Sequence, residues 1–273
     1  MSVFICPVCG ENLEISGKSY VCKRNHCFDT AKSGYVNLLP SGNSGKSVHG
    51  DNKLMVRARR EFLDRGYYAP LKDALCESVV SYYRDGTSLL DAGCGEGYYT
   101  SAVAESLENS GKRAEIYGID VSKTAVDYAA KKCRNVSFAA ASVFHIPAAD
   151  NSFSMLVTLF APYCGNEYRR VLDDDGIMIM AIPSVMHLWE LKQAIYDVPY
   201  KNEVKPYELD GFKFIENKHI TYSITLNSQE DIQSLFSMTP YYYRTGKREQ
   251  ERLNSFENLE TQVDFELLVY NKF

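Results

Sequence analysis

At 273 residues, with 45% apolar and 24% charged, the chain can bury a substantial core, which excludes a disordered composition; it is long for one domain and short for three. No run of about 18 apolar residues occurs, which excludes a membrane-spanning helix, and Met-Ser-Val-Phe-Ile-Cys-Pro lacks the basic-then-apolar layout of a secretion signal, so the expected compartment is the cytoplasm. The net charge of −5 is uneven: residues 1–60 hold nine Lys/Arg against four Asp/Glu, leaving a balance of −10 on the rest, a basic front end on an acidic body that suits a polyanionic substrate.

Four of the eight cysteines fall in the first 27 residues. Cys6-Pro-Val-Cys9 forms one knuckle, and Cys22-Lys-Arg-Asn-His26-Cys27 follows after twelve intervening residues. Two thiolates two residues apart clamp one side of a tetrahedral ion, and the second pair comes from a hairpin, Leu13–Ile15 and Ser19–Val21 around Gly17. The expected ligands are Cys6, Cys9, Cys22 and His26 on a structural Zn²⁺, with Cys27 as an alternative to His26 that spacing does not separate. Four protein ligands leave no place for a catalytic water, and about 35 residues need the metal to fold.

Phe28-Asp29 and Gly34–Pro40 read as a short strand that packs on this module and then leaves it. Residues 41–53 are rich in Gly, Ser and Asn without an apolar period, a flexible linker between a module at 1–40 and a domain at 54–273. A helical pattern runs from Leu54 to Leu63, breaks at Gly66 and resumes from Pro70 to Tyr83. Arg57, Arg59 and Arg60 decorate its early turns as solvated or phosphate-facing charges. Tyr67 and Tyr68 lie in the break, where one of them could cover a ligand.

In Ser88–Thr100 a short apolar run ends in Asp91, three glycines follow at alternate positions (Gly93, Gly95, Gly97), and a helical pattern opens directly behind them. That is a strand entering a tight turn and then a helix, a place where a ligand lies against backbone. Twenty-five residues after Gly95, the strand Ala114–Asp120 ends in a carboxylate placed to accept hydrogen bonds from a ribose. Val136–Ala139, Ser152–Phe160 and Gly176–Ile182 continue the strands. Ser142 lies at the third strand's tip, where an adenine would meet it, and Ala161-Pro162 and Pro183 close the fourth and fifth. Strands alternating with helices of ten to fifteen residues predict a parallel, doubly wound α/β sheet that binds its ligand beyond the strands' carboxyl ends.

A dinucleotide fold spaces its glycines Gly-x-Gly-x-x-Gly; here they run Gly-x-Gly-x-Gly behind a carboxylate that would repel a pyrophosphate. Asp91 suits a cationic amino-acid tail, and S-adenosylmethionine carries one together with a ribose for Asp120 and an adenine for Ser142. No phosphate loop ending in Gly-Lys-Ser/Thr is present. After the fifth strand, His187-Leu-Trp-Glu-Leu-Lys192 reads as a helix near the active face. Phe212–Ile215 and His219–Leu226 read as paired strands, Ser228–Phe236 as a short helix, and Gln262–Asn271 as a last edge strand. Tyr241-Tyr242-Tyr243-Arg244 offers base-stacking aromatics, with packing as the commoner fate.

Over essentially its whole length the chain resembles the 23S rRNA (guanine-N1)-methyltransferases of the RlmA type. The resemblance is carried by the Cys6–Cys9 and Cys22–His26 knuckles, Gly34–Pro40, Arg59-Arg60-x-Phe62-Leu63-Asp64, Asp91–Thr100, Gly118–Lys123, Ala161-Pro162, His187–Lys192 and Met238-Thr-Pro240. It implies a Rossmann-like S-adenosylmethionine-dependent methyltransferase fold with a mostly parallel seven-stranded sheet and a small N-terminal zinc-binding module. It further implies a structural zinc, a homodimer whose cleft holds an RNA hairpin, and a guanine in the hairpin 35 loop of 23S rRNA as acceptor. It sets the cofactor against Tyr68, Gly95, Glu96, Gly97 and His187. His187 and the backbone carbonyls after Ala161-Pro162 are candidates for orienting the guanine. In two places this chain departs from the pattern: Cys27 stands where a non-ligand is expected, and Asp173-Asp174-Asp175-Gly176 replaces a Lys-Pro-Gly-Gly before the fifth strand. Other readings are a small-molecule methyltransferase with the zinc module as a lid, and a catalytically silent rRNA-binding assembly factor.

Overall fold

The computed structural model describes residues 3–40 and 52–273. Most of the linker expected at 41–53 therefore lies outside the described residues. Its end does not: Asn52 caps a helix through a side-chain oxygen that accepts the Met55 amide at 3.0 Å, so the helical domain begins at Lys53.

The N-terminal strands β1 (Leu13–Ser16) and β2 (Ser19–Cys22) form the expected hairpin, with Leu13 opposite Cys22 and Ser16 opposite Ser19. Gly17 makes the tight turn with φ 64°. Strand β3 (Cys27–Asp29) adds antiparallel to β2. Strand β4 (Val36–Asn37) touches the end of this ribbon through an antiparallel bridge between Val36 and Thr30 and then leaves it. It pairs in parallel with a strand a hundred residues later, Val36 opposite Ala139 and Asn37 opposite Ala140. The stretch thus packs on the module and leaves it as expected, and the structure adds its destination: the apolar Val36 and Leu38 bury fully by covering an otherwise open sheet edge.

Helices α1 (Lys53–Asp64) and α2 (Ala69–Tyr82) lead to the core. The core itself runs β5 (Thr87–Ala92), α3 (Tyr98–Asn109), β6 (Ala114–Asp120), α4 (Lys123–Lys132), β7 (Ser137–Ala140), β8 (Phe153–Leu159), α5 (Gly165–Val171), β9 (Leu172–Pro183) and α6 (Trp189–Ile195). It finishes with β10 (Phe212–Leu226), α7 (Gln229–Ser237), the short α8 (Tyr241–Arg244) and α9 (Lys247–Arg252), and β11 (Leu259–Lys272). The sheet order is β10-β11-β9-β8-β5-β6-β7-β4. Strands β4 to β9 pair in parallel, while β11 and β10 close the far side antiparallel. Among the described residues the sheet thus has eight strands, the expected seven plus β4.

Two further expectations change. Phe212–Ile215 and His219–Leu226 are one strand with an irregularity between Phe214 and Glu216, because no glycine or proline between them turns the chain. The final strand is longer than Gln262–Asn271 and is not an edge. It lies between β10 and β9, and from Val263 to Tyr270 every residue is buried. The acidic run, expected before the fifth strand, lies inside the first residues of β9 and is anchored by cations, Asp173 by Arg84 and Asp174 by Lys272 at 3.8 Å.

Each face of the sheet carries apolar packing. One is built around Leu71, Leu75, Val103, Leu107 and Phe265. The other joins Leu90, Tyr117, Ile119 and Phe153 to ribbon residues Phe4, Leu13, Cys22, Val36 and Leu38. Phe4 meets Tyr117 edge-on, with ring centroids 5.4 Å apart. The ribbon is therefore packed into the sheet's own core.

Candidate functional site

In the ribbon, the ligand atoms of Cys6, Cys9, Cys22 and His26 all lie within 4.8 Å of one another. Tetrahedral zinc, with Zn–S of about 2.3 Å and Zn–N of about 2.0–2.1 Å, places neighbouring ligand atoms roughly 3.5–3.8 Å apart. Observed separations are 3.7 Å from Cys9 Sγ to Cys22 Sγ, 3.5 Å from Cys6 Sγ to His26 Nδ1 and 3.4 Å from Cys22 Sγ to His26 Nδ1. The donor set and spacing fit zinc. Cys27 is exposed on β3 and stands outside this group. Among the described residues no other cluster of His, Cys, Asp and Glu has metal-ligand spacing.

The second site is a cavity of about 670 Å³ beyond the carboxyl ends of the strands. It is lined by Tyr68, Asp91, Gly93, Gly95, Glu96, Asp120, Ser142 and His187, so nearly every residue singled out for the cofactor meets there. Gly97 is absent from the lining. Its backbone is left-handed (φ 83°), and a side-chain carbon there would sit 2.9 Å from that of Ala129, so Gly97 lets α3 approach α4. Gly93 serves a similar end against Ala161, where an added Cβ would lie 2.4 Å from the alanine's own. Gly95 differs: nothing except Arg59 Nη1, at 3.8 Å, stands near an added Cβ, so its surface is open cradle for a ligand.

Asp91 is only 4% exposed and accepts a hydrogen bond from Thr100 Oγ1 at 2.6 Å. Burial pushes its carboxyl up to about 7, and the nearby carboxylates of Asp120 and Glu96 add to the rise. Glu96 is also raised by burial, with Arg59 and Lys132 opposing. This half of the cavity concentrates negative charge in a poorly solvated place and fits a cationic ligand tail. Asp120 is held by backbone: Gly95 N donates to Oδ2 at 3.1 Å and Ser122 N to Oδ1 at 2.7 Å. Ser142 Oγ accepts the Phe144 amide at 3.2 Å, shaping the loop at this rim of the cavity.

The other half of the cavity lies over β8, β9 and β11. His187 is not on a helix; it lies in the turn before α6, where Leu188 takes a left-handed φ of 56°. Nδ1 of His187 accepts the Asp264 amide at 3.3 Å, which assigns the proton to Nε2. Burial, with Lys192 adding, holds the imidazole down to about 3, so it is a neutral donor and not a proton acceptor. An NMR titration is expected to keep His187 in the neutral Nε2–H form from pH 8 to pH 5; a midpoint near 6.5 would show this assignment to be wrong. Pro162 O already accepts the Tyr168 hydroxyl at 3.1 Å, so that carbonyl serves to pin its own loop.

Of the three arginines on α1, Arg59 lines the cavity, Arg57 pairs with Glu61 at 2.7 Å, and Arg60 stacks on Tyr128 at 4.7 Å. Of the two tyrosines, Tyr68 lines the cavity and Tyr67 stacks on Phe62. In the tyrosine run, Tyr241 lines the cavity, Tyr242 packs on Phe236 and Tyr243 is exposed. Sequence reading missed Phe160, Phe265 and the pair Tyr200 and Asn202. The last two are held by fully buried Lys192, whose Nζ donates to Tyr200 O at 3.1 Å and Asn202 Oδ1 at 2.5 Å. Only the lysine in His187–Lys192 hinted at this arrangement.

A parallel sheet with a glycine turn, a buried carboxylate at the first strand's tip and a second carboxylate at the tip of the next defines an S-adenosylmethionine-dependent methyltransferase, here fused to a zinc ribbon. Family models match accordingly: "RlmA, N-terminal" over residues 4–45 and "Methyltransferase domain" over residues 83–237. Bacillus subtilis (strain 168) YxjB, provisionally named a 23S rRNA (guanine-N(1)-)-methyltransferase, is 31% identical over 98% of this chain and 96% of its own. A Streptomyces fradiae protein named 23S rRNA (guanine(748)-N(1))-methyltransferase is 35% identical over 70% of this chain and 66% of its own. A Micromonospora griseorubida relative with the same provisional name as YxjB, but without the YxjB label, is 35% identical over 68% and 67%. The chain belongs to the RlmA-type family of 23S rRNA (guanine-N1)-methyltransferases.

Proposed function

We propose that the protein methylates N1 of a guanine in the hairpin 35 loop of 23S rRNA, with S-adenosylmethionine as donor. The observation that carries this reading is the union, on one chain, of a zinc ribbon with a methyl-donor cavity, matched end to end by the Bacillus subtilis relative. In this reading residues 1–40 recognise RNA, 54–273 form the catalytic domain, and the protein works in the cytoplasm as a homodimer whose cleft holds the hairpin. Among the described residues no helix is long and apolar enough to cross a membrane.

Residues Asp91, Gly93, Gly95, Glu96, Asp120 and Ser142 would hold the cofactor, which supplies an electrophilic sulfonium methyl when bound. Guanine N1 lies inside the Watson–Crick edge, so the base enters unpaired or flipped out of its stack. The chain then acts by placing N1 in line with the methyl group and by excluding water. His187 Nε2–H donates to an acceptor on the guanine edge, O6 being the acceptor beside N1. A neutral donor there favours the base as N1 loses its proton to solvent before the site closes, because O6 gains negative charge.

Methylated N1 blocks base pairing. Reverse transcription of rRNA from cells with the gene is therefore expected to stop at one guanine of the hairpin loop, and to read through in cells without it. Read-through in both, from a protein that binds the cofactor, refutes the rRNA assignment. A small-molecule methyltransferase would also show none of the steep salt dependence that phosphate contacts impose on hairpin binding.

A further inference from the structure

We propose that Phe160 is the platform on which the acceptor base stacks, an assignment that rests on the rRNA reading above and deepens it. Phe160 directly follows β8, and β8 neighbours β5, whose tip is the glycine turn. Ala161 is packed so closely on Gly93 that no side-chain carbon fits between them. The loop carrying Phe160 therefore abuts the turn that presents the methyl donor.

Two properties of Phe160 work against folding. Its backbone is left-handed (φ 59°), a conformation that strains a bulky residue and that glycine or asparagine would take more readily. The residue is 49% exposed, so much of its apolar surface gains nothing from the core. The surroundings nonetheless hold the loop. Thr158 Oγ1 donates to Ala92 O at 3.0 Å, Tyr168 fixes the Pro162 carbonyl, and the Phe160 ring rests against Phe265 at 5.3 Å. Phe265 in turn lies 4.4 Å from His187 and 5.1 Å from Tyr68. A strained backbone thus presents an apolar ring to the cavity, beside the neutral donor and next to the donor turn.

Sheet order decides which ring system this surface takes. The cofactor's adenine belongs over β6 and β7, at Asp120 and Ser142, whereas Phe160 stands over β8 on the opposite side of β5. What remains for it is the acceptor, an unpaired purine base. Stacking of a base on an aromatic ring is worth about 1–3 kcal/mol, a five- to 150-fold effect.

The test measures methyl transfer from S-adenosylmethionine to a transcribed hairpin 35 RNA, with cofactor affinity and melting temperature read in parallel. Phe160→Ala and Phe160→Leu are expected to lower kcat/KM for RNA about ten- to 100-fold with cofactor Kd changed less than twofold. Phe160→Tyr and Phe160→Trp should recover activity to within about threefold, since both keep a ring face. Phe160→Gly removes the backbone strain with the ring and should stay low. Full activity in Phe160→Leu, with wild-type turnover intact, overturns the stacking role alone. Wild-type protein that binds the cofactor yet methylates no hairpin overturns the acceptor assignment and the stacking role with it.

Discussion

Replacing Asp91 with asparagine is expected to abolish measurable cofactor binding while raising the melting temperature of the cofactor-free protein. Both effects come from the same buried carboxylate. In the folded chain its pKa rises from 3.8 to about 7, so between about pH 4 and pH 7 the native state holds a proton that the unfolded chain has released. Stability contributed by this group therefore falls as pH rises through that window, and above it the full penalty applies. Three pK units correspond to roughly 4 kcal/mol as a ceiling. Asparagine is isosteric, can still accept the Thr100 hydroxyl, and carries no charge to desolvate. A gain of several degrees in melting temperature is expected above pH 7, at about 2–4 °C per kcal/mol for a chain of this size.

The ligand sees the opposite sign. A cationic amino-acid tail brought beside Asp91 needs the ionised carboxylate; with asparagine it stays buried and unpaired, a loss of about 3–5 kcal/mol or at least 100-fold in affinity. In the wild type the same linkage makes affinity fall as pH drops below about 7, by up to about tenfold per unit. Calorimetry across pH 5.5–8.5, with melting curves of both proteins, checks all three signs. Asp91→Asn protein that binds the cofactor as the wild type does would sink the assignment of Asp91 to the cationic tail.

These residues were legible in the sequence because the constraint on each is local. Asp91 and Gly93 lie on one strand and its turn, and the positive φ of the glycines is a property of single residues that leaves a mark at fixed spacing. Asp120 and the strand alternation follow from the same local pattern. What escaped was set by partners far along the chain. Val36 and Asn37 form a two-residue strand whose partner is a hundred residues away, and nothing in their own sequence names it. The β10 strand alternates exposed and half-buried residues along much of its length, so its polar middle reads as a break. The setting of His187 depends on a left-handed Leu188 and on the amide of Asp264, neither of which a periodicity reports. Gly97 shows a different limit, since a glycine that admits a ligand and one that admits a helix look alike in sequence.

Removal of the zinc, by chelation or by Cys22→Ser, is expected to damage the methyl-donor site as well as the ribbon. The ribbon's own core is too small to persist without the metal, whose binding in such units contributes about 10–16 kcal/mol of apparent folding free energy. The damage spreads because ribbon and sheet share backbone pairing and core. Ile5 N donates to Pro147 O at 2.9 Å, Leu38 N to Ala140 O at 2.9 Å, and Phe4 pairs across with Ala148. These bonds clamp both ends of the segment holding Ser142 and Phe144, which line the cavity. Phe4, Leu13 and Cys22 also bury against Tyr117 and its neighbours, and exposing them leaves an apolar face of the sheet in water. The expected outcome is a bound-zinc ratio falling from one per chain to zero and a melting temperature lower by more than about 10 °C, since several kcal/mol at 2–4 °C each are lost. Amide exchange should rise in residues 137–148 as well as in residues 4–29, with weaker cofactor binding. Cys27→Ser is the matched control, because its thiol stands outside the four-ligand group and zinc should remain at one per chain. If the Cys22→Ser chain loses zinc yet keeps wild-type exchange across 137–148 and full cofactor affinity, the ribbon is an appendage and the coupling through β4 is absent.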